Sequence, residues 1–205
     1  MGHPTVAGLV RCRPPSPYTW PMGRVRLRVA TVEDVPGIRE LIGESVRGLQ
    51  KQDYSAAQIE GALATLFTVD SQLIADGTYF IATTEGGEVA GCGGWSFRKT
   101  LYGGDHQLEV HQPEAGDSRL DPKADAAKIR AIFVHPRFAR QGVGSLILEA
   151  AEQAALAAGF RRFEMGSTLT GVALYTLKGY REVARIRVPV GGGEEIEVVR
   201  MVKGN

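Results

Sequence analysis

The residues best placed to do chemistry are Arg140-Gln141-Gly142-Val143-Gly144-Ser145, a glycine-bearing loop that opens an amphipathic run. Glycines let a backbone approach a ligand closely. The first N–H groups of a helix have no intrahelical partner, so they point at whatever sits on the axis, and a phosphate or pyrophosphate is the expected occupant. The loop lacks the lysine of a GxxxxGK[ST] P-loop and the third glycine of GxGxxG, and no second strand–helix half accompanies it. A nucleotide-binding enzyme of those kinds is therefore the least favoured reading. His106, Glu109 and His111 match no standard metal-site spacing, so no metal is expected. The two cysteines, Cys12 and Cys92, make neither a disulfide framework nor a zinc pattern, and Cys92 reads as a small packed residue rather than an acyl carrier.

The flanking segments must position that loop. Ile129, Ala131, Ile132, Phe133 and Val134 form a nearly continuous apolar run, as in a strand covered on both faces. His135-Pro136 stops it. After the loop, Val143, Leu146, Ile147, Ala150 and Ala154 share one helical face, and Gly159 ends the helix. Arg162 to Ser167 is a further strand, and Thr170 to Lys178 a short helix closed by Gly179. Upstream, Val25 to Ala30 alternates as an edge strand, and Thr31 with Asp34 caps a helix striped by Val35, Ile38, Leu41 and Ile42. The polar segment 43–54 separates it from a second helix, capped by Ser55 with Gln58 and striped by Ile59, Leu63 and Leu66. A helical turn (DSQLIADG) and a hairpin, 78–84 with 89–98, follow; Gly91, Gly93 and Gly94 in its return strand imply a bulge or a close neighbour. Residues 101–127 form a long acidic loop, and strands 180–190 and 195–203 finish the chain. This order gives an α+β fold with a mixed, mostly antiparallel sheet flanked by helices.

The chain has 205 residues, 43% of them hydrophobic, and a formal net charge of +1. That fits one domain with a substantial core. It lacks the electrostatic surplus of a general nucleic-acid binder, so no nucleic-acid partner is expected. No apolar run reaches membrane-spanning length, so no membrane association is expected, and the expected compartment is the cytoplasm. Residues 1–23 are proline-rich and aperiodic, and are expected to be a disordered extension ahead of a domain over 24–205. Met22, just before the first periodic segment, is a plausible alternative translation start.

Two segments, IFVHPRFARQGVGSLIL and ALYTLKGYREV, resemble the GNAT superfamily of CoA-dependent N-acetyltransferases. The first is similar to the family's strand, turn, pyrophosphate loop and helix, the second to its small helix bearing a tyrosine. Their separation and the element order agree, so the resemblance covers roughly 24–203. It implies a GNAT-like sheet with a central strand–helix–strand unit that binds acetyl-CoA as co-substrate, without a metal. The main-chain N–H groups of Arg140, Gln141, Gly142, Val143, Gly144 and Ser145 would hold the pyrophosphate. Ala139 stands where the family has Arg or Gln. Ile132, Phe133 and Val134 would lie along the pantetheine. Thr168 occupies the position of a cofactor-contacting asparagine.

By the same resemblance, Tyr175 is the general acid that protonates the departing CoA thiolate. The general base is open: KIRAIFV carries no glutamate. Glu164 is one candidate, although strand alternation allows it to point away from the cleft, and Tyr54, Glu109 and His111 acting through water are others. Arg47 and Tyr54 fall where the family's acceptor-binding helices lie, and Trp95 follows two glycines beside the expected cleft; all three are candidate acceptor contacts. The function implied is transfer of acetyl from acetyl-CoA to a primary amine, on a small molecule or a peptide, in a ternary complex. A second reading is a non-catalytic acetyl-CoA-binding sensor or regulatory module, indifferent to Tyr175→Phe. Homodimers are common in the family, and nothing in the sequence selects one.

Overall fold

The computed structural model describes residues 25–99 and 119–204. The N-terminal extension, most of the acidic loop, and His106, Glu109 and His111 lie outside the described residues. The strands are β1 (Val25–Val29), β2 (Tyr79–Thr84), β3 (Val89–Ser96), β4 (Ala127–Val134), β5 (Phe163–Thr168), β6 (Arg181–Pro189) and β7 (Glu195–Lys203). The helices are α1 (Val35–Leu49), α2 (Ala56–Thr65), α3 (Ser71–Ala75), α4 (Val143–Ala157) and α5 (Val172–Leu177). Seven strands form one sheet in the order β1-β2-β3-β4-β5-β7-β6. Every neighbouring pair is antiparallel except β4–β5. The chain thus adopts the α+β mixed sheet read from its periodicity. Among the described residues no helix is long and apolar enough to cross a membrane.

Two cores flank the sheet. On one face Ile38, Leu41 and Val46 of α1 and Ile59 of α2 pack against Tyr79, Ile81, Phe133 and Val198. On the other, Leu148 and Ala151 of α4 pack against Trp95, Ile129, Phe163 and Met201. The Ser55 cap forms as its spacing predicts: Gln58 N–H donates to Ser55 Oγ (3.2 Å), and Ser55 N–H donates to Gln58 Oε1 (2.9 Å).

The polar segment 43–54 is not an open connection. α1 continues through it to Leu49, burying Ser45 and Val46. Gly43 and Gly48 weaken the local helix signal, but Gly48 serves packing: a Cβ there would lie 2.5 Å from Pro136 Cγ. Tertiary contact overrides propensity at this point.

The glycines of β3 have the same explanation. A Cβ at Gly91 would meet Ile147 Cδ1 and Val143 Cγ1 at 2.9 Å; one at Gly93 would meet Ile132 Cγ1 at 2.6 Å and Ile147 Cγ2 at 2.8 Å. They let the first turns of α4 sit directly on β3, which fixes where that helix's N-terminus points. Gly93→Val should therefore destabilise the fold by about 1–3 kcal/mol through overpacking, read as a melting temperature lower by roughly 2–4 °C per kcal/mol. An unchanged melting temperature would show that α4 is not held this closely.

Candidate active site

The site begins where the parallel pair ends. β4 and β5 share only two ladder positions, Ala127↔Phe163 and Lys128↔Glu164, and then part. On the other side of β4, Cys92 pairs with Phe133 and Gly94 with Arg130, so β4 carries one more residue than β3 between those pairs. The extra residue is Ala131, in the left-handed region at φ 53°. For a non-glycine residue that costs about 1–2 kcal/mol. The bulge is held from behind, because the Tyr79 hydroxyl donates to Ala131 C=O (3.3 Å). Such a bulge bends a strand and re-aims its side chains. The opening is a cleft of about 90 Å³ walled by residues 129–133 of β4 and 165–168 of β5, with Gln50, Leu66, Phe67, Thr68, Tyr175 and Val198 closing it.

The α4 N-terminus lies beside β4. Its first intrahelical bond runs from Leu146 N–H to Gly142 C=O (2.9 Å), so the N–H groups of Val143, Gly144 and Ser145 precede the helical ladder. Arg140 (φ 61°) and Gly142 (φ 84°) both take left-handed backbone, curling the loop over the helix axis. The Gln141 side chain ties it down by donating to Arg137 C=O (2.7 Å). A Cβ at Gly144 would lie 3.2 Å from Leu174 Cδ2 and 3.4 Å from Val134 Cγ2, so the loop also packs against α5 and β4. Successive N–H groups at the end of a 15-residue helix fit an anionic diphosphate.

Tyr175 projects from α5 into the cleft and is 8% exposed. Its ring packs edge-on to Tyr180 (6.0 Å), and its hydroxyl has no hydrogen-bond partner among the described residues. Burial raises the pKa of the phenol, so it stays protonated through the neutral range. Of the expected cofactor contacts, Ile132, Phe133 and Thr168 line the same cleft as Tyr175. Val134 lies just beyond them, with its N–H donated to Ser45 Oγ of α1 (3.3 Å).

Other expectations are corrected. Trp95 does not face the cleft: it is 1% exposed and stacks edge-on with Phe97 (6.0 Å) and Phe160 (5.8 Å) under α4. Tyr54 is a strut rather than an acceptor contact. Its hydroxyl donates to Glu197 C=O (2.6 Å) and accepts from Leu169 N–H (2.9 Å), and burial pushes its pKa up to about 12, which also removes it as a base. Arg47 pairs with Glu60 (2.7 Å) in an outer groove that it lines with Arg39; this groove meets the cleft at Phe67 and Thr68. Cys92 is fully buried and shares a 3.1 Å hydrogen bond with Tyr79. Burial pushes its thiol up to about 12, which suits a packed residue and not an acyl carrier.

Glu164 is also placed away from the reaction space. Phe163 and Met165 pack under α4, so alternation sends Glu164 to the opposite face. There it bridges Lys128 of β4 and Arg200 of β7. Burial alone would raise its pKa, but the hydrogen bonds from those two cations outweigh it and hold the carboxyl low. A carboxylate so stabilised is a poor proton acceptor. Three cleft residues carried no signal in the sequence: Gln50, Thr68 and Arg130, the last ion-paired to Asp70 at 2.8 Å. Gln50 stands in a polar stretch beside Lys51 and Gln52, and no periodicity separates it from them. Among the described residues, no group of three or more His, Cys, Asp and Glu could hold a metal.

The site is thus an open mixed sheet that parts beside a bulge, with a helix N-terminus against β4 and a buried tyrosine in the gap. Residues 44–180 match the sequence profile of the acetyltransferase (GNAT) family, and the chain belongs to that family. Solved structures share its fold. A GCN5-related N-acetyltransferase from Rhodopseudomonas palustris superposes with a TM-score of 0.61 at 21% identity, over 87% of this chain and 94% of that one. The PaiA N-acetyltransferase of Thermoplasma acidophilum, solved with coenzyme A, gives 0.56 at 13% identity, over 88% and 99%. N-acetylglutamate synthase from Neisseria gonorrhoeae, solved with coenzyme A and N-acetyl-glutamate, gives 0.52 at 19% identity, over 88% of this chain and 35% of that one. No curated protein matches the sequence.

The Glu164 bridge yields a test. Glu164→Gln leaves the half-buried Lys128 without its counter-charge and should cost roughly 3 kcal/mol in urea unfolding at neutral pH. Because the folded carboxyl is held below its unfolded value, its stabilisation is present above about pH 4.3 and lost as pH falls through the lower folded pKa. The gap between wild type and variant should therefore narrow below about pH 4. Loss of activity with unchanged stability would instead mark Glu164 as the base.

Proposed function

We propose that this acyltransferase moves acetyl from acetyl-CoA to a primary amine by direct attack in a ternary complex. The observation that carries this reading is the unbonded, protonated Tyr175 phenol lining the cleft between β4 and β5, on a helix whose Leu174 packs against Gly144 at the start of α4. The neighbours solved with coenzyme A are consistent with it. The loop Arg140–Ser145 fits the CoA diphosphate, with Gly142 supplying the left-handed turn. The edge of β4 from Ile129 onward has no ladder partner on β5, so it can accept the pantetheine amides as an added half-strand. Ile132 and Phe133 line that path, with Thr168 across the gap on β5.

In the chemical step the amine nitrogen attacks the thioester carbonyl carbon. The C–N bond forms, the C–S bond breaks, and the electron pair leaves on sulfur. Tyr175 donates its proton to that thiolate, and the proton released by the attacking nitrogen returns through solvent. Main-chain N–H groups at the bulge would stabilise the developing oxyanion. A tyrosine acid must be protonated to act. Its pKa is raised, so it imposes no loss of activity across roughly pH 6–9. The proposed compartment is the reducing cytosol, in keeping with a chain whose Cys92 is a free buried thiol.

Tyr175→Phe should lower kcat by roughly 10²–10⁴-fold, measured as CoA thiol release, while calorimetric binding of acetyl-CoA is retained. Binding with no turnover in the wild-type protein would instead favour a sensing role. Gly142→Val forces a branched residue into left-handed backbone at a cost of about 1–2 kcal/mol. It should raise the KM for acetyl-CoA roughly tenfold with a smaller effect on acceptor KM. An unchanged KM would dissociate this loop from the diphosphate.

A further inference from the structure

Two buried polar atoms of residues that line the cleft have no hydrogen-bond partner among the described residues: Gln50 Oε1 and Thr68 Oγ1. Gln50 is 6% exposed, and both residues line the same cavity as Tyr175. Its main chain is firmly held. Gln50 N–H closes α1 on Val46 C=O (3.1 Å), and Gln50 C=O accepts from the N–H groups of Asp53 (3.0 Å) and Tyr54 (3.1 Å). Tyr54 is in turn fixed to Leu169 and Glu197. A buried amide oxygen left unpaired is costly. Such an atom is set to receive an N–H from a ligand.

The charge of the cleft narrows which N–H that is. Among the described residues the ionisable groups lining it are Arg130, ion-paired to Asp70, and Tyr175, which burial keeps neutral. No described carboxylate lines it. Glu164 faces Lys128 and Arg200 outside the lining. An ammonium ion would lose its hydration here with no counter-charge, next to a guanidinium. Among the described residues nothing stabilises the charged form, so this lining favours an amine that enters uncharged. At pH 7.5 an α-amino group of pKa about 7.7–8.0 is roughly 10²-fold richer in its neutral form than a lysine ε-amine of pKa about 10.4.

We propose that Gln50 and Thr68 form the acceptor site, and that it takes the α-amino group of an aminoacyl amide, whether a free amino-acid amide or a peptide N-terminus. Gln50 Oε1 accepts an amine N–H, and the Thr68 hydroxyl donates to the adjoining acceptor carbonyl, so both unpaired atoms are satisfied by one compact group. Donor and acceptor capacity match this pairing: an amide oxygen only accepts, whereas a hydroxyl can donate. The inference rests on the amine-acetylation reading above and adds the residues and the class of amine.

The test uses the full chain with acetyl-CoA and measures thiol release with alanine amide, an alanine-initiated tetrapeptide and Nα-acetyl-lysine amide between pH 6.5 and 9. Both α-amines should exceed the ε-amine in kcat/KM by roughly 10²-fold at pH 7.5, and each profile should bend at the acceptor's own pKa. A tetrapeptide advantage over alanine amide assigns the peptide as source; the reverse assigns the small amide. Gln50→Ala should raise acceptor KM about tenfold, and Thr68→Val about three- to tenfold, with calorimetric acetyl-CoA binding unchanged in both. Gln50→Glu should shift preference toward the ε-amine, because it supplies the missing counter-charge; a purely structural glutamine would give no such switch. Equal or better use of the ε-amine, or profiles bending at one enzyme pKa for every acceptor, overturns the inference and leaves amine acetylation standing. No thiol release with any of the three acceptors, with acetyl-CoA still bound, overturns both.

Discussion

Two ladder pairs set the geometry of this enzyme. β4 and β5 are the sole parallel neighbours among the described strands, joined at Ala127↔Phe163 and Lys128↔Glu164 and nowhere beyond. A carboxylate shared by Lys128 and Arg200 ties β4, β5 and β7 together at that end. Beyond it the β4–β5 ladder stops, and β4 bulges against β3 at Ala131. The unpaired strand edges are tolerable because they border a cleft that a ligand can enter; in a closed interior they would carry the full cost of unsatisfied peptide groups.

The charges follow the same division. Ion pairs sit around the cleft and hold its frame: Glu164 with its two cations, and Arg130 with Asp70. Apart from Arg130, which Asp70 balances, the polar side chains lining the reaction space are the Tyr175 phenol, the Gln50 amide and hydroxyls, all neutral. A low-dielectric cleft with few mobile charges favours an uncharged nucleophile and keeps the phenol protonated, two conditions that the proposed thioester aminolysis needs together. Tyr54 links the two sides. Its hydroxyl spans from the α1–α2 connection to Leu169 just before α5 and to Glu197 on β7. The position of Gln50 is thereby coupled to that of Tyr175, six residues beyond Leu169.

Much of the fold was legible in the residues themselves. Apolar alternation located the outer strands and a continuous apolar run located β4, and the Ser55–Gln58 box and the glycines Gly159 and Gly179 located helix ends, because caps and left-handed termini depend on neighbours a few residues away. The α1 C-terminal half was misread for the opposite reason. Gly43 and Gly48 lower local propensity, and only the fit of Gly48 against Pro136, eighty-eight positions away in the chain, explains them. Trp95 was misplaced because pattern alone does not say which face of a strand meets the cleft. That is settled by register with Ile129 and by the aromatic neighbours Phe97 and Phe160.

The sequence by itself determined the order of elements, the glycine loop before α4 and the tyrosine on α5. Each of these is encoded in contiguous residues, through hydrophobic period, backbone freedom at glycine, and spacing. Tertiary structure alone decided that Glu164 is a bridge, that Tyr54 is a strut, and that Gln50 and Thr68 carry unpaired atoms and line the same cleft as Tyr175. The role of a carboxylate, a phenol or an amide is fixed by its burial and its partners, and those partners come from β4, β7 and the α1–α2 connection, which only the folded sheet brings within hydrogen-bond distance.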